Sequence, residues 1–131
     1  MDATILHECL ELSLSGRIAF PEVVARMLAT GVERYDADLT RRELRHYATD
    51  DSTHAESLPL ADAPMVAREF SATAVRSAVA SAQRREIDYP HFLRRIMAAG
   101  SVGYTAYLAG RKVVYFGRAG ETHVEPFTVP A

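Results

Sequence analysis

Shifted by 69 residues, the chain aligns with itself: residues 2–62 fall on residues 71–131 without a gap. The alignment contains 14 identities in 61 positions. Composition alone would give about 5 in a chain this rich in Ala and Arg. Phe20-Pro21 falls on Tyr89-Pro90, Gly31 on Gly100, Tyr35 on Tyr104, Arg42 on Arg111, and Thr53-His54 and Glu56 on Thr122-His123 and Glu125. Many of the substitutions keep chemical character, as in Val24/Leu93, Leu44/Val113 and Leu58/Phe127. The repeat predicts one domain over residues 1–131, made of a first copy (2–62), a linker (63–70) and a second copy (71–131).

Each copy reads as two helices followed by strands. Ile5, Cys9 and Leu12 recur at helical spacing near 2–14, as do Val75, Ala78, Val79 and Ala82 near 71–85. Pro21 and Pro90 suit the first turn of a second helix, where a missing N–H costs nothing. Gly31 and Gly100 suit the positive φ that ends it. Glu33, Tyr35, Ala37 and Leu39 alternate with their neighbours, as do Val102, Tyr104, Ala106 and Leu108, and this is strand periodicity. Turns at Thr40-Arg41 and Ala109-Gly110 lead to return strands near 42–48 and 111–117, and Thr53–Leu58 and Thr122–Phe127 suit third strands. The apolar run Val113–Phe116 predicts central burial. The expected fold is α+β: two ααββ(β) repeats sharing an antiparallel sheet, with helices packed against it and a pseudo-twofold axis between them.

The net charge of −2 conceals a split. Residues 2–62 carry 12 acidic and 6 basic side chains, whereas 71–131 carry 4 and 8. This polarity suits packing of the two halves on each other. A basic face from Arg84, Arg85, Arg94, Arg95 and Arg111 reads as solvated surface, so nucleic acid is not an expected partner. No apolar stretch is long enough for a membrane span, and the single cysteine, Cys9, fits a cytoplasmic protein without an intrachain disulfide.

The second copy also carries a resemblance. Tyr89–Gly100, Val114–Arg118 and His123–Phe127 resemble the YdfO-like family of short bacterial proteins, and Phe20–Tyr35 resembles the same family's first half. The resemblance implies an α+β fold and a bacterial or prophage origin, since members often bear the label "phage envelope protein". It implies no activity, substrate or catalytic residue.

Among residues able to carry chemistry, the repeated His-x-Glu comes first. Within a strand, His54 and Glu56 share a face, as do His123 and Glu125. A pseudo-twofold that brought the four together would offer two imidazoles and two carboxylates to a divalent metal such as zinc, manganese or iron. The plain alternative is polar strand residues near hairpin ends. Tyr35 and Tyr104 read either as core or as the lining of a pocket. Arg42 and Arg111 read either as partners of carboxylates across the hairpin or as ligands for an anion. Cys9, on an apolar helix stripe, reads as a small buried hydrophobe. The chain has no glycine-rich phosphate loop, nucleophile elbow or cysteine-based zinc pattern.

The leading expectation is therefore a non-enzymatic binding or accessory module for a partner protein or small ligand, with no cofactor required. A metal-dependent enzyme built on His54, Glu56, His123 and Glu125 is the alternative. A phage-associated structural protein is the third reading, and exposed sheet edges suggest a homodimer.

Overall fold

The computed structural model describes residues 1–127. Its elements run α1 (Ala3–Leu14), α2 (Phe20–Ala29), β1 (Val32–Asp38), β2 (Glu43–Ala48), β3 (Thr53–Ser57), α3 (Ala72–Gln83), α4 (Tyr89–Ala98), β4 (Ser101–Tyr107), β5 (Lys112–Gly117) and β6 (Thr122–Pro126). Every element after residue 71 begins and ends 69 residues beyond its counterpart. The fold is α+β, as the sequence predicts.

The helix starts are fixed locally. Asp2 accepts from the N–H groups of Thr4 and Ile5 to cap α1, Ser71 caps α3 through Ala74, and Asp88 caps α4 through His91. The residue before α2 is Ala19, which has no side-chain cap, so Pro21 in the first turn carries the start signal there. Gly31 (φ 92°) and Gly100 (φ 91°) lie just past α2 and α4, where the chain turns into β1 and β4.

All six strands form one antiparallel sheet in the order β3-β2-β1-β4-β5-β6. The order is symmetric about the β1–β4 pair. The expected central burial of Val113–Phe116 holds in part: these residues lie in β5, an interior strand between β4 and β6. Only Val113 and Tyr115 of the run are buried, while Val114 and Phe116 are half-exposed on the opposite face. The run reads as continuous because the uncovered face also carries apolar residues.

A second difference lies at the start of the first strands. The pairing shifts between Val32 and Arg34 and again between Ser101 and Gly103. These irregularities put Val32 and Ser101, instead of Glu33 and Val102, on the buried side.

Alternation assigns one face of the sheet to the helices and leaves the other without them. Tyr35, Ala37, Leu44, His46, Tyr104, Ala106, Val113 and Tyr115 are buried on the first face. They pack with Leu6, Cys9, Val24, Met27, Val75, Leu93, Ile96 and Met97 into the core. Asp36, Asp38, Arg45, Tyr47, Thr105, Val114 and Phe116 are half-exposed on the second. The connecting segment 59–70 is pinned by Leu60 and Val66, both buried, and by bonds from Arg94 to the Ala61 carbonyl and from Arg118 to the Val66 carbonyl.

Candidate functional site

The strand order decides the fate of the two His-x-Glu pairs. β3 and β6 are the opposite edges of the sheet. Five interstrand steps at about 4.8 Å separate them by roughly 24 Å. His54, Glu56, His123 and Glu125 therefore do not form one site, because two ligands of a metal ion lie only about 3 Å to 4 Å apart. Among the described residues, no three His, Cys, Asp or Glu side chains gather in a metal-holding arrangement.

Each pair does share a face. His123 Nε2 lies 2.8 Å from Glu125 Oε2, and His54 Nε2 lies 3.3 Å from Glu56 Oε2. In the first half a third residue joins. His7 on α1 places Nδ1 3.0 Å from Glu56 Oε1 and Nε2 3.1 Å from Glu11 Oε1. The Glu56 carboxylate thus ties α1 to the edge strand, and with Glu11 it raises the His7 pKa. Local spacing displays His54 with Glu56 along the strand and His7 with Glu11 one helical turn apart, but not the link between the two pairs.

Between the two edges, rings on the helix side form a row across the sheet: His54, His46, Tyr35, Tyr104, Tyr115 and His123. Successive ring centroids lie 5.8, 5.5, 5.8, 5.6 and 6.4 Å apart. Tyr35 and Tyr104 are core residues. Their hydroxyls lie 3.2 Å apart, and the Tyr89 hydroxyl comes within 2.6 Å of Tyr104. Burial pushes the Tyr35 hydroxyl up to about 12 and also raises those of Tyr89, Tyr104 and Tyr115 well above the usual phenol range. The three hydroxyls thus meet one another on the helix side of the sheet. His46 is fully buried, and burial lowers its pKa to about 4.

Arg42 and Arg111 occupy equivalent hairpin positions with φ of 57° and 58°. The Arg42 guanidinium donates to the carbonyls of Leu39 (2.8 Å) and Leu60 (3.0 Å). The Arg111 guanidinium lies over the Phe127 ring, 5.8 Å from its centroid. Among the described residues neither pairs with a carboxylate. Cys9 is buried, which pushes its thiol pKa up and suits the reading of a small hydrophobe.

The helix-free face carries what the sequence reading passed over. A shallow depression of about 560 Å³ lies over the β1–β4 junction, lined by Asp36, Asp38, Arg41, Arg45, Gly103, Thr105, Phe116 and Arg118 among others. Thr105 Oγ1 donates to Asp36 Oδ1 at 2.8 Å, and Arg45 Nη2 donates to Asp38 Oδ2 at 3.1 Å. Gly103 lines it, and a Cβ there would lie 2.3 Å from the Ala37 carbonyl oxygen. A glycine inside a strand pattern is the sequence sign of such close backbone approach.

A family model described as a protein of unknown function, DUF1398, matches residues 18–125. The chain belongs to the DUF1398 family. No curated protein matches the sequence. The DUF1398 match spans α2 to β6 almost entirely, including both His-x-Glu pairs, the tyrosine trio and the depression. α1, with His7, lies before the matched DUF1398 region. Among the described residues no helix is long and apolar enough to cross a membrane.

Proposed function

We propose that this DUF1398 protein is a small non-enzymatic binding module that takes its ligand on the helix-free face of the sheet, over Gly103. The observation that carries the reading is the lining of that depression. Guanidinium groups (Arg41, Arg45, Arg118), carboxylates (Asp36, Asp38), the Thr105 hydroxyl and the Phe116 ring surround one stretch of backbone. Phosphates or nucleic acid would leave the carboxylates opposed by like charge. A peptide segment or small zwitterion suits both signs, with its carboxylate towards Arg41 and Arg118 and its donor towards Asp36.

The resemblance of residues 89–127 to YdfO-like sequences supports a bacterial, phage-associated setting, and the lone buried cysteine suits the cytoplasm. The phage-associated structural role shares this support. The metal-dependent alternative loses its basis, since its four residues stand on opposite edges.

The test is amide-resonance mapping against a panel of amino acids, dipeptides and tripeptides. Binding here moves the signals of Gly103, Thr105 and Phe116, and Phe116→Ala or Arg41→Ala weakens it. A panel that moves no signal, or moves only signals of the helix face, would overturn the assignment.

A further inference from the structure

Among the described residues β6 is an edge strand of the sheet, and its bonds to β5 fix which backbone groups face outward. Phe127 N–H donates to the Arg111 carbonyl at 2.9 Å, and Gly117 N–H donates to the Glu121 carbonyl at 2.8 Å. Alternation in an antiparallel pair then turns His123 and Glu125 towards β5 and turns Thr122, Val124 and Pro126 outward. The edge presents two N–H groups and three carbonyls. The side chains of those outward residues lie on the helix-free face, and none is charged. Val124 is 48% exposed, one of the few large hydrophobic side chains left open to water. Edges are ordinarily guarded by charges, bulges or proline; among its described residues β6 carries Pro126 at the last position and the Glu125 carboxylate, which points to the helix side and is paired with His123.

We propose that β6 pairs antiparallel with β6 of a second copy of this chain, about a twofold axis at Val124, to give a continuous twelve-stranded sheet. The register is the argument for a second copy. An axis at Val124 sets each His123 opposite the partner's Glu125, so His-x-Glu is complementary to itself when reversed. His123 and Glu125 already point to the same face, with 2.8 Å between their polar atoms. Each Val124 N–H reaches the partner's Val124 carbonyl, and each Thr122 N–H reaches the partner's Pro126 carbonyl. Pro126 thus serves as an acceptor, and its missing N–H costs one bond per copy. The two exposed Val124 side chains cover each other. The same arithmetic applies to β3 about Ala55, but there Glu56 is already held by His7 from α1 and the central residue is small. One strand pair is a small interface, so the dimer forms in a concentration-dependent manner.

Sedimentation of the full chain over a wide concentration range tests this. The wild type moves from monomer to dimer as concentration rises. Val124→Lys loses the dimer with its circular dichroism unchanged, and Ala55→Lys behaves as wild type. A cross-link decides the case even if Val124→Lys misfolds. Paired Cα atoms about 5.5 Å apart fit a disulfide, so oxidised Val124→Cys gives a covalent dimer and Ala55→Cys does not. Cys9 is buried and does not interfere. A wild type that stays monomeric throughout, or a dimer lost in Ala55→Lys and kept in Val124→Lys, would overturn the proposal.

Discussion

The hydroxyl of Tyr35 lies 3.2 Å from that of Tyr104, its counterpart 69 residues on, across the central strand pair. Tyr89 reaches the same Tyr104 oxygen at 2.6 Å, so Tyr104 serves two buried partners. Tyr104→Phe removes both bonds and strands two buried hydroxyls, whereas Tyr35→Phe or Tyr89→Phe removes one bond each. A buried polar group left unpaired costs about 1–3 kcal/mol. Urea unfolding should therefore rank Tyr104→Phe as the most destabilising of the three. Equal losses would mean that the trio is not a network.

Gly31 and Gly100 make a matched pair with the same backbone angle and different surroundings. A Cβ on Gly31 meets nothing within 4 Å, whereas one on Gly100 would lie 2.1 Å from the Glu69 carbonyl oxygen. The segment before α3 runs against the α4–β4 turn at this point, where Ser71 N–H donates to the Ala99 carbonyl. Gly31→Ala pays only for positive φ, about 1–2 kcal/mol. Gly100→Ala adds a backbone clash and should lower the melting temperature clearly more than Gly31→Ala.

This contrast also marks what local pattern could reveal. Pro21, Pro90, Gly31 and Gly100 act through their own backbone, and the helix and strand boundaries follow from them and from the periodicity around them. The shared face of His54 and Glu56 follows from the pleat. The β1–β4 pairing at the centre and the placing of β3 and β6 at opposite edges depend on contacts between distant residues, which leave no local trace. The four-residue metal site failed for that reason. His7 was equally hidden, because its partner Glu56 lies 49 residues away on another element. Phe116 and Val114 read as core because an apolar residue on an uncovered sheet face resembles one beneath a helix.

Glu56 holds His7 from one side and Glu11 holds it from the other, and the Glu56 hydrogen bond is the largest cause of the raised His7 pKa. Glu56→Gln removes the negative charge while keeping the shape. The His7 imidazole, followed by proton resonance titration, should then titrate at lower pH than in the wild type. Glu11→Gln should lower it less. A His7 midpoint indifferent to Glu56→Gln would mean that α1 is not tied to β3 through this carboxylate.

His46 gives stability the opposite dependence on acid from His7. It is fully buried between Tyr35 and His54, with ring centroids at 5.5 and 5.8 Å, and neither ring nitrogen has a well-formed hydrogen-bond partner. Burial lowers its pKa from 6.5 to about 4, against the nearby Glu56 carboxylate and His54 backbone, which favour the charged form. The unfolded chain therefore binds the proton first as pH falls. The stability that neutral His46 contributes is complete above about pH 6.5 and is lost progressively down to about pH 4, where the loss amounts to roughly 3 kcal/mol. His7, with a raised pKa, adds stability on acidification, but it is exposed and its effect is small. The second half has Tyr115 at the position of His46, a ring that gains no proton over this range. His46→Phe should keep the ring in the row, remove the unpaired nitrogens and flatten the stability profile between pH 6.5 and 4. Denaturant midpoints at pH 7, 5.5 and 4.5 measure it. A variant whose midpoint falls as steeply as that of the wild type would place the acid sensitivity elsewhere.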